Sequence, residues 1–170
     1  MEKALSIHDL DPYSQEALKL LEASDIYLGA LYPPESNHLS SPADLAAAHV
    51  RFLGYQVGPD IVGCGAVKIL EDRMGRYGEI KRVFVLPEFR GRGISKALME
   101  ALETHLIAQG IGLSRLETGI YQPEALGLYR RFGYVERAPY GDYVPDPLSV
   151  FMEKQLRLNA VPKRSPPHSE

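Results

Sequence analysis

The order of apolar and polar positions predicts a chain that moves between strands and helices. Residues 4–10 alternate in polarity and indicate a strand, whereas apolar positions in residues 14–31 recur with helical spacing. The remaining predicted elements are a short helix that begins at Ser41 and ends near His49, strands at 50–57, 60–70 and 78–86, a helix at 93–109, a strand at 113–120, a helix at 122–132, and a strand pair at 134–138 and 149–154. This order predicts an α/β domain around a mixed sheet.

One predicted strand, residues 78–86, changes the face on which its apolar side chains lie. Ile80 falls on one parity, whereas Val83 and Val85 fall on the other. Because side chains alternate along a strand, a single inserted residue would return all three to one face. We therefore predict a β-bulge near Arg82.

Composition and charge limit the classes of partner. The 170 residues suit one domain, and the formal net charge of −3 gives no global electrostatic reason to expect nucleic acid or an anionic membrane. No apolar stretch reaches the roughly 18 residues needed to cross a bilayer, and the N-terminus lacks the pattern of a secretory signal. We expect a cytoplasmic protein in which Cys64, the only cysteine, is a buried thiol.

The end of the chain differs in composition from the rest. The segment NAVPKRSPPHSE holds three prolines and mixed charge, with almost nothing to bury. We predict a folded domain at residues 1–156 and a disordered tail at residues 157–170.

The segment VFVLPEFRGRGISKALMEALE has the pattern of an anion-binding site. A predicted strand leads into a loop with two glycines and then into an amphipathic helix. The first-turn amides of a helix have no partner within the helix, and glycines let the backbone approach a ligand closely, so such a loop suits a phosphate. It contains neither the Gly-Lys-Ser/Thr of a P-loop nor the third glycine of a dinucleotide motif. A glycine-rich turn with solvated basic residues is the alternative interpretation.

Two motifs carry a resemblance to a known family. Residues 90–95, RGRGIS, resemble the Arg/Gln-x-x-Gly-x-Gly/Ala signature of the GNAT superfamily of acyl-CoA-dependent N-acyltransferases, with Ser95 where Gly or Ala is usual. Residues 116–134 resemble the second motif of that family, so the two together cover roughly residues 78–138. The resemblance implies the GNAT fold, in which about four helices flank a mixed, mostly antiparallel sheet.

The resemblance also implies that acetyl-CoA is the co-substrate. In the family, the fourth strand pairs through its backbone with the pantetheine arm, the glycine loop holds the pyrophosphate, and the fourth and fifth strands splay apart around the thioester. Gln122 stands where the family most often has Asn. The residues assigned to the coenzyme in this way are Val83, Phe84, Val85, Arg90, Gly91, Arg92, Gly93, Ile94, Ser95, Lys96 and Gln122.

Tyr129 is the candidate catalytic acid. Direct acyl transfer is helped by an acid that protonates the leaving thiolate. Helical spacing directs Tyr129 inward together with Ala125 and Phe132, and the family places a tyrosine here beside the coenzyme sulfur. The alternative is a tyrosine of the core whose hydroxyl has a hydrogen-bond partner but no catalytic role.

Glu79 is the candidate base, because many members of the family have a working glutamate at this place. An alkylammonium has a pKa near ~10, so a base helps to remove its proton. The alternatives are that Glu79 is an exposed strand-end carboxylate paired with Lys81 or Arg76, and that Glu117 on the fifth strand is the base.

Three basic residues and two loops are candidates for acceptor selection. Arg82, Lys81 and Arg51 are candidates for binding a carboxylate on the acceptor. Residues 31–38 are predicted to be a specificity loop, because in the family the region between the first two helices helps to wall the acceptor site; an ordinary surface turn is the alternative. Residues 138–151 are expected to cover the acceptor site or a partner subunit. The five histidines show no compact metal-ligand spacing, so no metal is predicted.

These features favour an N-acetyltransferase that moves an acetyl group from acetyl-CoA to the amine of a small molecule by direct attack in a ternary complex. The alternatives are a catalytically silent acyl-CoA-binding module, a protein or peptide N-acetyltransferase, and a nucleotide-binding protein. A homodimer is expected from family habit.

Overall fold

The computed structural model describes residues 6–158, so almost all of the predicted tail lies outside the described part of the chain. The strands are β1 (Ile7–Asp9), β2 (Val50–Val57), β3 (Asp60–Asp72), β4 (Gly75–Val85), β5 (Leu113–Gly119), β6 (Val135–Arg137) and β7 (Ser149–Gln155). The α-helices are α1 (Gln15–Leu31), α2 (Pro42–Leu45), α3 (Ile94–Ala108) and α4 (Pro123–Arg131). The predicted α/β class is confirmed.

The seven strands of the described residues form one sheet in the order β1-β2-β3-β4-β5-β7-β6. β4 and β5 are parallel, and the other neighbouring pairs are antiparallel. Since β4 and β5 are parallel, the chain between them must cross over, and α3 makes this crossover. The parallel pair lies in the middle of the sheet, where both strands are covered.

Helices α1 and α3 cover opposite faces of the sheet. Ala66 and Val67 are neighbours on β3 and therefore point to opposite faces. Val67 packs in a core with Leu98 of α3, whereas Ala66 packs in a second core with Leu20 of α1. Cys64 is fully buried on the α1 side, as expected, and burial raises the pKa of its thiol to about 12.

The predicted β-bulge is present at Arg82. The register between β3 and β4 pairs Cys64 with Phe84 and Ala66 with Lys81, so one more residue lies on β4 than on β3. Arg82 has φ 57°, in the left-handed region that residues other than glycine rarely adopt. The inserted residue returns Val85 to the core that contains Ile80, as the parity of the apolar positions requires.

Two element boundaries differ from the predictions. The helix predicted to run to His49 ends at Leu45, although it begins at the expected Ser41-Asp44 capping box. It stops because the chain turns tightly into β2, where the Val50 amide donates to the Ala47 carbonyl. β3 and β4 extend to a turn at residues 73–74, which places Glu79 inside β4 rather than at its start.

Candidate active site

The site begins where β4 and β5 separate. The two strands pair from Gly78 to Ile80 on β4 and from Ser114 to Leu116 on β5. Beyond Ile80 the bulge at Arg82 turns β4, and no pairing joins the two strands within the described residues. The remaining part of β4 therefore presents a backbone edge to a groove.

The glycine loop lies at one end of this groove. Gly91 and Gly93 have φ values of 77° and 76°, and a Cβ built on either would meet no atom within 4 Å. Gly93 is the N-cap of α3, and within the described residues no side chain caps the helix there. The first-turn amides of α3 thus face open space, which is the arrangement that binds a phosphate.

A cavity of about 670 Å³ runs along the loop, the edge of β4 and the start of α4. Its volume lies in the range of ligand sites. Ten of the eleven residues that the family resemblance assigns to the coenzyme line this cavity, namely Val83, Phe84, Val85, Arg90, Gly91, Gly93, Ile94, Ser95, Lys96 and Gln122.

The two loop arginines are held by neighbouring groups. Arg90 donates from Nε to the Val85 carbonyl at 3.0 Å, and its guanidinium lies over the Tyr27 ring at 5.2 Å. Arg92, which is not among the cavity-lining residues, lies over the Phe89 ring at 5.0 Å. Like Arg90, Lys96 lines the cavity, and it lies in the first turn of α3.

A smaller cavity of about 100 Å³ lies in the split between β4 and β5. Lys81, Arg82 and Val83 line it from β4, and Glu117, Thr118 and Gly119 line it from β5. Both cavities are lined by Ser24, Leu28, Val83, Gln122 and Tyr129. These shared residues mark the junction at which two bound molecules would meet.

Tyr129 stands at this junction, on the inner face of α4. Its side chain is buried, with 8% of the residue exposed. Burial raises the pKa of Tyr129 to about 12, and the charge of Glu117 adds to the rise. At neutral pH the phenol therefore keeps its proton and is a donor for a developing negative charge.

Glu117 is the carboxylic acid that β5 brings to the small cavity. Burial raises its pKa from 4.5 to about 7, against the opposing influence of the Lys81 charge. A carboxyl group with this pKa is divided between its two forms at neutral pH, which suits proton transfer.

Glu79 occupies a different environment. It is buried, with 4% exposed, and lines neither cavity. The Tyr140 hydroxyl donates to Glu79 Oε2 at 2.7 Å, and Lys81 Nζ lies 3.7 Å from Glu79 Oε1. The proposed pairing with Lys81 is therefore present, but the carboxylate is enclosed rather than exposed at a strand end.

Residues from both loops singled out in the sequence, 31–38 and 138–151, line the small cavity. Ser36 Oγ donates to Asp146 Oδ2 at 2.7 Å and ties the two loops together. The rings of His38 and Tyr143 meet edge to face with centroids 5.0 Å apart. Tyr143 also accepts a hydrogen bond from Lys81 at 3.1 Å, so this roof is anchored to β4.

Tyr32 is a site residue that the sequence pattern did not single out. Its hydroxyl donates to Gln122 Oε1 at 3.2 Å and accepts from the Tyr121 amide at 3.0 Å. A Cβ on Gly119 would overlap this hydroxyl, so glycine is required there. The signal that could have identified Tyr32 is its aromatic side chain within the predicted specificity loop, residues 31–38.

The three basic residues proposed to select a carboxylate separate in the structure. Lys81 and Arg82 line the small cavity, whereas Arg51 pairs with Asp9 and lines neither cavity.

Within residues 6–158, no cluster of three or more His, Cys, Asp or Glu side chains could hold a metal ion. In the same part of the chain, none of the helices has the length and apolarity to cross a membrane.

Comparison with known proteins places the chain in a family. The acetyltransferase (GNAT) family model matches residues 17–134. A relative named IAA acetyltransferase from Azospirillum brasilense is 47% identical over 145 residues, which cover 85% of this chain and 94% of the relative. The chain belongs to the GNAT acetyltransferase family, which confirms the resemblance carried by the two motifs.

Solved structures agree with this assignment. A Klebsiella pneumoniae protein assigned to the acyl-CoA N-acyltransferases is 36% identical, with a TM-score of 0.72 over 89% of this chain and 97% of that one. An N-acetyltransferase of Thermoplasma acidophilum, solved in complex with coenzyme A, is 20% identical, with a TM-score of 0.66 over 89% of this chain and 99% of that one. The second likeness is one of fold.

Proposed function

We propose that this protein transfers an acetyl group from acetyl-CoA to the amine of a small molecule, by direct attack in a ternary complex. The observation that carries the proposal is the meeting of two cavities at Tyr129. The larger cavity leads from the glycine loop, and the smaller one holds a carboxyl group. This arrangement brings two reactants together, and their orientation alone supplies several kcal/mol of rate enhancement.

The larger cavity fits coenzyme A by its chemistry. The uncapped first turn of α3 and the open approach to Gly91 and Gly93 suit a pyrophosphate. The edge of β4 at residues 83–85 offers backbone groups to the amides of a pantetheine arm. Coenzyme A bound to the Thermoplasma acidophilum neighbour supports this assignment by analogy of fold.

Tyr129 is proposed as the catalytic acid. When acetyl-CoA is bound, its thioester supplies the activated acyl carbon. The acceptor nitrogen forms a bond to this carbon as the carbon–sulfur bond breaks, and Tyr129 donates its proton to the sulfur. Because the phenol has a raised pKa, solvent reprotonates it readily after each turnover.

Glu117 is proposed as the base, in place of Glu79. Glu117 lines the acceptor cavity and has a pKa of about 7, so its carboxylate form can take a proton from the amine. Glu79 lies behind the cavity wall, where it receives the Tyr140 hydroxyl and attracts Lys81. We assign Glu79 the positioning of these two side chains, one of which lines the cavity.

Release of the coenzyme A thiol, measured with acetyl-CoA and a panel of amines, tests the proposal. Turnover that yields one N-acetylated amine for each thiol would support it. Acetyl-CoA binding without turnover on amino acids, polyamines, aminoglycosides or short peptides would contradict it and favour a silent binding module.

A further inference from the structure

One acidic and one basic side chain face each other across the split between β4 and β5. In the parallel register, Glu79 on β4 lies beside Arg115 on β5. Lys81 and Glu117 come two residues later on the two strands, so they lie on this same face of the sheet. Both line the small cavity. A ligand there meets an ammonium group on one side and a carboxyl group on the other.

The Lys81 ammonium has bonding capacity left for a ligand. Its side chain is 17% exposed, it donates to the Tyr143 hydroxyl at 3.1 Å, and its Nζ lies 3.7 Å from Glu79 Oε1. An ammonium has three donors, and within residues 6–158 the Tyr143 hydroxyl is its hydrogen-bond partner and Glu79 its ion-pair partner. Glu79 lies behind the wall, so a molecule in the cavity meets the cationic end of this pair.

Arg82, the other cation that lines the cavity, is already occupied. Its Nε and Nη2 donate to the Ser40 carbonyl at 3.0 and 2.9 Å. Its Nη1 is paired with the Asp25 carboxylate on α1. Arg82 thus fastens a loop and a helix to the bulge of β4. Lys81 remains as the cation that is able to recognise an anion in the cavity.

The cavity also limits the size of its ligand. Its volume of about 100 Å³ is a small fraction of the about 670 Å³ of the cavity along the glycine loop. The roof formed by the Ser36–Asp146 and His38–Tyr143 contacts separates it from solvent on that side. These dimensions suit a compact molecule.

From this geometry we infer that the acceptor is a compact α-amino acid, whose amine lies at Glu117 and whose carboxylate binds the Lys81 ammonium. This inference rests on the proposed acetyl transfer and specifies its substrate class. The acceptor attacks as the neutral amine: its nitrogen bonds to the acetyl carbon as the carbon–sulfur bond breaks, and it gives its surplus proton to Glu117. Coenzyme A leaves as the thiol with the proton of Tyr129, and exchange with solvent restores both side chains. The products are an N-acetylamino acid and coenzyme A.

Matched acceptor pairs test the inference. Thiol release is measured with glycine, L-alanine, L-serine and L-methionine, each beside its α-amide, which keeps the amine and removes the carboxylate. Because a charge-assisted hydrogen bond is lost with the amide, the wild type is expected to favour at least one acid over its amide by about 10- to 100-fold in kcat/KM. Lys81→Met should abolish this preference, and Lys81→Arg should retain part of it. Lys19→Met, at an exposed position on α1, is the matched control.

A binding measurement separates recognition from catalysis. In the presence of coenzyme A, N-acetyl-L-alanine should raise the melting temperature of the wild type, whereas N-acetyl-L-alaninamide should raise it less. Tyr143→Phe removes only the hydroxyl that accepts from Lys81 and leaves the Lys81 charge in place. It should reduce the difference between the effects of the acid and the amide on the melting temperature. It provides a second test if Lys81→Met does not fold.

The outcomes distinguish the two proposals. If every amide is used as well as its acid, the amino-acid inference is overturned and acetyl transfer to amines stands. If acetyl-CoA binds but neither set of amines is acetylated, both are overturned. An acid preference that survives in Lys81→Met would show that another group binds the carboxylate and would also overturn the inference.

Discussion

Replacement of Glu117 by glutamine should stabilise the protein at alkaline pH while it lowers the activity. Burial raises the pKa of Glu117 from 4.5 to about 7. A carboxyl group whose pKa is raised by folding favours the folded state fully below pH 4.5, and this contribution is lost as the pH rises through 7. Above pH 7 the folded wild type must hold a desolvated charge, whereas the neutral amide of the variant carries none.

The size of this effect follows from the pKa difference. One pKa unit corresponds to about 1.4 kcal/mol, so the cost of the charged form reaches about 3 kcal/mol well above pH 7. This is an upper figure, since Glu117 is partly exposed to the cavity and water screens its charge. For a chain of this length, ~3 kcal/mol corresponds to a rise in Tm of about 6–12 °C.

Thermal unfolding of the ligand-free protein at pH 5, 7 and 8.5 measures the effect. Glu117→Gln should differ least from the wild type at pH 5 and exceed it by an increasing margin at the two higher values. Glu22→Gln, an exposed position on α1, should show no such trend. A Tm difference for Glu117→Gln that is the same at all three pH values would refute the assignment of a raised pKa.

Three further substitutions test separate parts of the site. Tyr129→Phe should lower kcat by about 10²- to 10³-fold, because the sulfur loses its acid, with little change in the Kd for acetyl-CoA measured by calorimetry. Gly93→Ala should weaken coenzyme A binding about tenfold. A residue with a Cβ favours leaving φ of 76° by roughly 1–2 kcal/mol, so the free loop relaxes and binding must restore its conformation; an unchanged Kd would contradict the assigned role of the loop. Ser36→Ala removes the hydrogen bond to Asp146 and should raise the acceptor KM several-fold at constant acetyl-CoA KM, whereas equal changes in both would argue against a role confined to the acceptor roof.

The bulge and the glycine loop were predictable because each follows from local rules. The parity change between Ile80 and Val83 requires an inserted residue, and the structure has it at Arg82. Gly91 and Gly93 both adopt positive φ, the conformation for which glycine is suited. These features depend on residues that are close in sequence.

The proposed assignment of the base to Glu117 rather than Glu79 was not predictable from the sequence, because it depends on long-range packing. Glu79 is enclosed by Tyr140, which comes from a loop 61 residues away along the chain. That loop has no helical or strand periodicity to show which face it covers. The contacts of Arg82 and Arg90 were not predictable for the same reason. Arg82 donates to a carbonyl group and Arg90 lies over an aromatic ring, and folding brings these partners together.

Tyr129 is proposed to protonate the leaving thiolate where the two cavities meet. Thiol release from acetyl-CoA, followed together with mass detection of the acetylated amine in the wild type and in Tyr129→Phe, tests this role. We predict equal amounts of thiol and N-acetylated product in the wild type, and a loss of at least about a hundredfold in the variant with acetyl-CoA binding retained. Undiminished turnover in Tyr129→Phe, or acetyl-CoA binding with no acetylated product from the wild type, would contradict it.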